Sequence, residues 1–396
     1  MNSPEGSGPF DVVIAGAGLA GGSLALRLAR VGARVALLDP ARFPRDKLCG
    51  EFLSPECWGV LDDLGLAGAV TRRGYHAIRR VRITTPRGRV LDVEVIGEDG
   101  LPGIGLSRSA LDDLIVRQAR AAGVVVIEGA RVGAPIVDEG RVVGVAARGP
   151  DGGPIEVRAA VTVAADGRHS GLVRRTGRTR VRSRLRPPLF GMKRHLVAAG
   201  PDAEPVGTVG LHLVPGGYAG TCQVETPLMN LCALLPESVL RRHRGDLDRL
   251  ANDLFTRNPV LTRIWASGAA SGDWKTVAGV RVEASSPRLA GIFYVGDCCG
   301  TIDPLGGQGM TMALLGAEVL APFVTRALAD GAVGPAPQRA YHSAWHRRFD
   351  RRITLCRAFH HALVNPGLID LASTFKGLAP RLLAACFAGT RDARVT

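Results

Sequence analysis

The sequence is poor in aromatic residues, which make up only 5% of its 396 residues. Its formal net charge is +14, yet it contains no compact basic helix and no recognised nucleic-acid reader motif. The densest basic stretch, residues 174–186, is interpreted either as a solvated connector or as a source of attraction for phosphate-bearing small molecules. We therefore expect no nucleic acid partner.

The sequence also lacks the marks of export and of membrane insertion. No apolar run approaches the ~18 residues that a membrane-spanning helix needs, and the first ten residues lack the basic and apolar regions of a signal peptide. The eight cysteines fit neither zinc-site spacing nor a dense disulfide framework. We expect a cytoplasmic protein with reduced thiols and no metal site.

A glycine-rich turn lies between a predicted strand and a predicted helix near the N-terminus. Residues 11–15 form an apolar run typical of a buried parallel strand, and residues 19–31 carry apolar side chains at helical spacing. Between them, Gly16 permits a tight turn, Gly18 lets a pyrophosphate approach the backbone, and Gly21 brings helix and strand together. This order predicts a dinucleotide-binding cradle with the phosphates at the helix N-terminus.

A carboxylate follows the next predicted strand. Residues 34–38 form a second apolar run that ends on Asp39, 23 residues after Gly16. A carboxylate at this position accepts hydrogen bonds from the adenosine ribose and repels a 2′-phosphate. The cradle is therefore expected to hold NAD or FAD rather than NADP.

Three later segments follow in a fixed order: "LSRSALDDLIVRQA" from Leu106, "VTVAADGRHSGLVRR" from Val161, and "GIFYVGDCCGTIDPLGGQGM" from Gly291. With the glycine turn, they resemble the FAD-dependent monooxygenases of the para-hydroxybenzoate hydroxylase type. They resemble the geranylgeranyl reductase-like and halogenase-like branch of that superfamily more closely still. The resemblance covers most of residues 11–325 and implies FAD as the bound cofactor.

The same resemblance implies an α/β fold. A glutathione-reductase-type, Rossmann-like FAD domain would occupy residues 1–75, 105–180 and 285–330. An inserted substrate domain, built on a mostly antiparallel sheet with helical pieces near residues 238–257, would occupy residues 76–104 and 181–284. Residues 335–396 would form a C-terminal helical segment, in which residues 368–378 are expected to cover the pocket or to bind a membrane surface or a partner.

The resemblance also implies roles for individual residues. Asp297 would bind a ribitol hydroxyl of FAD, and Arg108 would reach the pyrophosphate or ribitol. Asp166 would support the loop near the middle of the cofactor and the transient nicotinamide donor. Arg45 and Lys47 lie in a segment similar to one that runs beside the flavin ring in the branch, so they are candidate flavin or substrate contacts.

A glycine-rich loop precedes the last predicted helix, which begins near residue 309. The N–H groups at a helix N-terminus stabilise negative charge, such as that of a reduced flavin. Glycines in the loop let the backbone approach the ring edge. The candidate residues are Gly306, Gly307 and Gly309.

Three reactions are open on this scaffold. The interpretation that we prefer from the sequence is hydroxylation of an aromatic or polyketide-like small molecule, of the kind found in secondary metabolism. It would use NAD(P)H and O2 through a flavin C4a-hydroperoxide. The alternative is a C=C reductase or dehydrogenase of the geranylgeranyl reductase type, although residues 211–225 lack the tryptophan of that branch's substrate-sheet element. A halogenase is less expected because no two tryptophans lie two residues apart.

Polar residues on two predicted strands are candidate substrate contacts. Alternation places Lys193 and His195 on one strand face, where they could polarise or deprotonate a phenol. His212, Tyr218 and Glu225 are further substrate candidates. Solvent-facing positions on a half-exposed sheet are the alternative for all five, and a monomer and a homodimer are both open.

Overall fold

The computed structural model describes residues 9–97, 99–181, 188–197, 204–331, 333–363 and residue 389. The helices in these ranges are α1 (Leu19–Arg30), α2 (Cys57–Asp63), α3 (Ala67–Arg73), α4 (Arg108–Ala121), α5 (Gly171–Thr176), α6 (Glu237–Arg242), α7 (Leu247–Phe255), α8 (Pro259–Ser267), α9 (Gly309–Ala329) and α10 (Pro335–Leu363). The strands in the first half are β1 (Phe10–Ala15), β2 (Val35–Asp39), β3 (Phe52–Leu53), β4 (His76–Ile78), β5 (Arg80–Thr84), β6 (Val90–Glu94), β7 (Gly103–Gly105), β8 (Val125–Glu128), β9 (Arg131–Asp138), β10 (Arg141–Arg148) and β11 (Pro154–Ala164). Those that follow are β12 (Gly177–Val181), β13 (Leu189–Val197), β14 (Thr208–Val214), β15 (Gly217–Gln223), β16 (Leu228–Pro236), β17 (Ala269–Val280), β18 (Glu283–Pro287) and β19 (Ile292–Tyr294).

The first large sheet has seven strands in the order β8-β2-β1-β11-β10-β9, with β19 also paired to β11. β8, β2, β1, β11 and β19 run parallel, and β9 and β10 are antiparallel additions. The carboxyl ends of parallel strands meet at one edge of a sheet, which is where ligands bind in such folds. Asp39, Asp166 and Asp297 end or follow β2, β11 and β19, so the topology brings them to this edge.

Apolar helices cover this sheet because its strands are buried on both faces. β1 and β2 are almost entirely buried, as are most residues of α1. α4 begins with its first-turn N–H groups capped by Ser107, whose Oγ accepts a hydrogen bond from the N–H of Ala110 at 3.1 Å. These elements, with α9, form one continuous hydrophobic core.

The second large sheet has the strand order β17-β13-β16-β15-β14-β5-β6. All its pairs are antiparallel except β14 with β5. Alternation divides its apolar side chains between two clusters. The face that carries Leu211, Leu213, Tyr218 and Leu234 packs with Phe52 and Leu305 of the other half of the molecule, and we call it the cleft face. The opposite face packs with α6, α7 and α8, and we call it the helix face.

The long helix α10 is anchored to the first sheet. The hydroxyl of Tyr341 donates to the carbonyl of Tyr294 at 2.8 Å, and Gln338 donates to the carbonyls of Leu289 and Ile292. The buried ring of Trp345 packs where a Cβ on Gly300 would overlap it. The C-terminal part of the chain is therefore helical up to residue 363, whereas the helix expected at residues 368–378 lies outside the described residues.

One helix departs from the expectation that no apolar run is long enough to span a membrane. α9 has 21 residues and a mean hydropathy of 1.5 over its most apolar window, of which 44% is buried. The helix contains Pro322 and packs on α1 and α10. Length and composition alone make it a candidate span, and a core helix passes the same test.

The predicted fold class is confirmed: a mixed α/β architecture in which a parallel sheet with flanking helices is combined with a mostly antiparallel sheet and C-terminal helix. The second sheet takes its strands from residues 80–94 and 189–280. The exact domain limits stay a prediction.

Candidate cofactor and substrate site

The glycine turn has the conformation that its spacing predicts. Gly16 has a φ of +104°, and a Cβ at this position would overlap the carbonyl of Ala165. A Cβ on Gly21 would overlap the carbonyl oxygen of Gly16. Both positions are therefore restricted to glycine by the packing of the turn against β11 and α1.

Gly18 differs, because its backbone has an ordinary φ of −76°. A Cβ built on it would be in ordinary van der Waals contact with guanidinium nitrogens of both Arg45 and Arg108, each 3.7 Å away. Two cations and the N-terminus of α1 thus face a gap that a side chain would fill. This arrangement fits the pyrophosphate of a dinucleotide.

Asp112 holds the two cations in place and was not identified from the sequence. It is fully buried, and its carboxylate accepts from Arg45 Nη1 at 2.6 Å and from Arg108 Nε at 2.8 Å. Burial opposes the charge of Arg108, but the Asp112 carboxylate overcomes this and raises the pKa of the guanidinium. The i, i+4 spacing of Arg108 and Asp112 on α4 is the signal that could have revealed the pair.

Asp39 lies beside the turn, as predicted, with only 5% of its surface exposed. Its Oδ2 accepts from the N–H of Ala17 at 2.8 Å, and its Oδ1 accepts from the N–H of Ala41 at 2.9 Å. The carboxylate therefore fixes the shape of the turn. It also stands at the position where an adenosine ribose would approach.

Lys47, Asp166 and Asp297 lie along the continuation of this cleft. The pKa of the Lys47 ammonium is lowered by enclosure within the cleft walls and by the nearby charges of Arg108 and Arg45. Its side chain nevertheless keeps solvent-accessible surface. Asp166 accepts from the N–H of Gly171 at 3.2 Å, which fixes the start of α5.

Asp297 has 39% of its side chain exposed, and an Arg168 nitrogen lies 3.7 Å away. It lines a small opening together with Gly309 at the start of α9. A Cβ on Gly309 would meet nothing within 4 Å, and Gly307 has a φ of +64°. The predicted ribitol contact and the glycine loop are therefore neighbours, and both border open space.

Glu51 joins the two halves of the site and was also missed from the sequence. It is fully buried with a φ of +57°. Its Oε1 accepts from Lys193 Nζ at 2.6 Å and from the N–H of Arg108 at 2.8 Å, and its Oε2 lies 2.7 Å from His195 Nε2. One carboxylate thus connects the loop of residues 45–51, the N-terminus of α4 and strand β13.

Lys193 and His195 share the cleft face, as alternation predicts, but their contacts change the interpretation of Lys193. Its ammonium donates to Glu51, to Asp46 at 2.6 Å and to the carbonyl of Lys47 at 3.2 Å. All three N–H bonds therefore have protein acceptors, and the group has no proton left to direct at a substrate. These contacts favour a buried cross-link, and the catalytic role of Lys193 stays a prediction.

The other polar candidates are separated by the sheet. His212 lies on the helix face, where its ring nitrogens are each 2.9 Å from a threonine hydroxyl, of Thr84 and Thr221. Glu225 accepts from both the N–H and the hydroxyl of Ser107, so it supports the α4 N-terminus. Of these three, only Tyr218 lies on the cleft face within its apolar cluster.

Besides Lys193, His195 and the buried Asn230, the cleft face carries a buried apolar cluster. Its buried cluster contains Phe52, Ile78, Val81, Ile83, Val93, Val95, Leu211, Leu213, Tyr218, Cys222, Leu234, Val280, Leu305 and Phe359. It combines the second sheet with the glycine loop and α10. A substrate placed between the sheet and the loop would therefore meet hydrocarbon on most sides.

Gly18→Ala tests the pyrophosphate gap. The substitution adds a methyl group in ordinary van der Waals contact with the two guanidinium groups, so folding should be unaffected. The methyl occupies space that the pyrophosphate needs, and FAD affinity should fall roughly tenfold or more, about 1.4 kcal/mol. Fluorescence titration with FAD measures the change. Gly334→Ala, where a Cβ also meets nothing and φ is not positive, is the control, and equal affinity in both variants would contradict the assignment.

Lys193→Met tests the buried cross-link. Removing the ammonium leaves Glu51 and Asp46 without their cation, and we expect the free energy of unfolding to fall by about 3–5 kcal/mol in denaturant titrations. Lys275 pairs with Lys193 across β17 and β13 and is exposed. Lys275→Met should therefore change stability by no more than ~0.5 kcal/mol. Equal unfolding midpoints for the two variants would overturn the role given to Lys193.

Comparison with known proteins agrees with this geometry. Residues 9–191 match the family model described as FAD binding domain. Digeranylgeranylglycerophospholipid reductase 1 of Methanopyrus kandleri is 28% identical over 356 residues, which cover 86% of this chain and 87% of the relative. This chain is thus similar to a reductase over nearly its whole length.

Two solved structures share the fold. The flavin-dependent brominase Bmp2 has a TM-score of 0.80 at 20% identity, covering 96% of this chain and 94% of that protein. A geranylgeranyl bacteriochlorophyll reductase-like protein of Thermoplasma acidophilum has a TM-score of 0.72 at 18% identity, covering 98% of this chain and 93% of that one. Residues 9–191 thus match an FAD binding domain, in agreement with the resemblance that the motifs indicated.

Proposed function

We propose that this protein is an FAD-dependent reductase that adds two hydrogen atoms to a carbon–carbon double bond of an apolar, prenyl-type substrate. The observation that carries the proposal is the composition of the cleft face. Its buried cluster is apolar, and Lys193 and His195 on the same face are bound to Glu51. This proposal replaces hydroxylation, the preferred interpretation from sequence, with the alternative stated beside it.

An apolar substrate is favoured because burial is the main source of affinity that this face offers. Each aliphatic side chain that a ligand covers contributes through the area removed from water, at roughly 25 cal/mol per Å². An aromatic substrate that must be deprotonated needs a cation or base directed at its hydroxyl. Lys193, the predicted cation, has its three donors occupied by protein acceptors.

The relatives support the same direction. The Methanopyrus kandleri protein is named for reduction of a digeranylgeranyl lipid, and it aligns with 86% of this chain. Geranylgeranyl chains are apolar and contain carbon–carbon double bonds. The likeness to a brominase rests on 20% identity and supports the shared fold rather than a shared reaction.

The FAD-binding residues are also proposals. Gly18, Arg45 and Arg108 would hold the pyrophosphate, Asp39 the adenosine ribose and Asp297 the ribitol. When bound and reduced, the flavin supplies a hydride. The chain supplies position and exclusion of water: the glycine loop borders one side of the substrate, and the cleft face covers the other. NAD(P)H as the electron source and a cytoplasmic location stay predictions.

Anaerobic product analysis separates reduction from hydroxylation. Dithionite-reduced holoenzyme and a geranylgeranyl-bearing lipid in detergent should give a product that has gained two hydrogen atoms, measured by mass spectrometry. The control is the same mixture with FAD but without protein. Turnover that requires O2 and adds one oxygen atom would contradict the reductase and restore the hydroxylase interpretation.

A further inference from the structure

A buried histidine–aspartate pair lies where α10 meets the glycine loop. His360 is 4% exposed and Asp303 is 5% exposed. The Nδ1 of His360 lies 2.6 Å from Oδ1 of Asp303. The sequence analysis singled out neither residue, and the proposed cofactor site does not use them.

Asp303 is held rigidly. It directly precedes the short helical turn Pro304–Gly306 and caps it, because its Oδ1 accepts from the N–H of Leu305 at 3.2 Å. A carboxylate so fixed sets the orientation of the imidazole, with the Nδ1–H directed at the carboxylate. Within the described residues, the other ring nitrogen, Nε2, has no hydrogen-bond partner. The ring therefore has one nitrogen anchored and one nitrogen available.

The imidazole also borders the cleft face. Its ring stands edge-to-face with Tyr218, at 6.4 Å between centroids and an angle of 80°. Leu305 and Phe359, which adjoin Asp303 and His360 in the chain, belong to the same apolar cluster as Tyr218. His360 thus lies between the loop proposed to border the flavin and the surface proposed to hold the substrate.

The neighbouring groups are poor sources of a proton. Burial and the charge of Asp303 raise the pKa of the Tyr218 phenol well above its ordinary value. Lys193 and His195 are committed to Glu51. Among the described residues on this side of the sheet, His360 is the candidate proton donor: Asp303 holds its Nδ1, and its Nε2 has no hydrogen-bond partner.

We propose that His360 is the catalytic acid of the double-bond reduction and that Asp303 is its positioning residue. This inference rests on the proposed function. One alkene carbon would receive a hydride, with both electrons, that a bound and reduced flavin would supply. The other carbon forms its new C–H bond with the proton of His360 Nε2, and the Nε2–H bond breaks. The flavin is then oxidised, the imidazole is neutral, and solvent reprotonates it.

The test compares three variants of the full-length holoenzyme. His360→Gln removes the acid and keeps a polar side chain. Asp303→Asn keeps an acceptor for Nδ1 but removes the negative charge of the carboxylate. Tyr341→Phe is the matched control, since it removes one buried hydrogen bond, to the carbonyl of Tyr294, that anchors the same helix.

The readout is single-turnover reduction of the geranylgeranyl lipid by the pre-reduced enzyme without O2. His360→Gln should slow it by roughly 10²-fold or more, and Asp303→Asn by at least about tenfold. Tyr341→Phe should remain near the wild-type rate. Reoxidation by ferricyanide, which needs no proton on carbon, and FAD affinity should be the same in all four proteins.

A second readout is independent of turnover and of FAD. The Nδ1–H donated to Asp303 should give a downfield proton resonance in the histidine-labelled apoprotein. This resonance should be absent in His360→Gln and shifted upfield in Asp303→Asn. Its presence in His360→Gln would show that it belongs to another histidine and would remove the geometric basis of the proposal.

The outcomes separate the two proposals. A wild-type protein that reduces no double bond overturns the proposed function and the inference together. A wild-type protein that reduces the lipid, with His360→Gln within a few-fold of its rate, overturns the inference alone. If His360→Gln loses FAD, the Asp303→Asn rate decides, and an unchanged rate there also overturns the inference.

Discussion

The buried carboxylate of Glu51 is the interaction on which the arrangement of the site depends. It receives an ammonium from the second sheet, a backbone N–H from the start of α4 and an imidazole from β13. A fully buried carboxylate is tolerated only with such partners, and removing one of them leaves an uncompensated charge. Because the partners come from separate elements, satisfying this charge fixes how the antiparallel sheet stands over the dinucleotide edge of the parallel sheet. Glu51 has a left-handed backbone conformation, which is uncommon for a residue other than glycine. In this conformation its side chain reaches Lys193 and His195.

This fixed arrangement has a chemical consequence. Charges are concentrated on the phosphate side of the cleft, where Asp112 aligns Arg45 and Arg108. On the sheet side, the charges neutralise one another and leave an apolar surface. Such a division suits a cofactor that carries charge and performs the electron transfer, with a substrate held by its hydrocarbon surface. Reduction of a carbon–carbon double bond also requires a proton donor. The His360–Asp303 pair lies between the charged side of the cleft and its apolar side.

Local patterns in the sequence predicted the parts of the fold that depend on neighbours in the chain. The turn at Gly16, the acid at the end of β2 and the start of α9 near residue 309 all agree with the structure. Alternation also placed Lys193 and His195 on one face of β13. These features depend on spacings of two to four residues, which a sequence displays directly.

The rest required the tertiary structure. Glu51 and Lys193 are 142 residues apart, so no local pattern joins them. Alternation assigns His212 to one face of β14, but it does not say that this face packs on α8 rather than on the cleft. His360 lies in a helix whose pattern shows amphipathicity, and only packing reveals the carboxylate at its Nδ1. α9 shows the converse: its apolar length was missed because small and polar residues interrupt every continuous run.

The most direct test of the account is an anaerobic spectral titration. Photoreduced holoenzyme is mixed with a geranylgeranyl-bearing lipid, and the oxidised-flavin absorbance is followed before any oxygen is admitted. The account predicts that the oxidised band returns in proportion to added lipid, because the double bond accepts the electrons. A flavin that stays reduced with lipid, and reoxidises only when O2 enters, would contradict it.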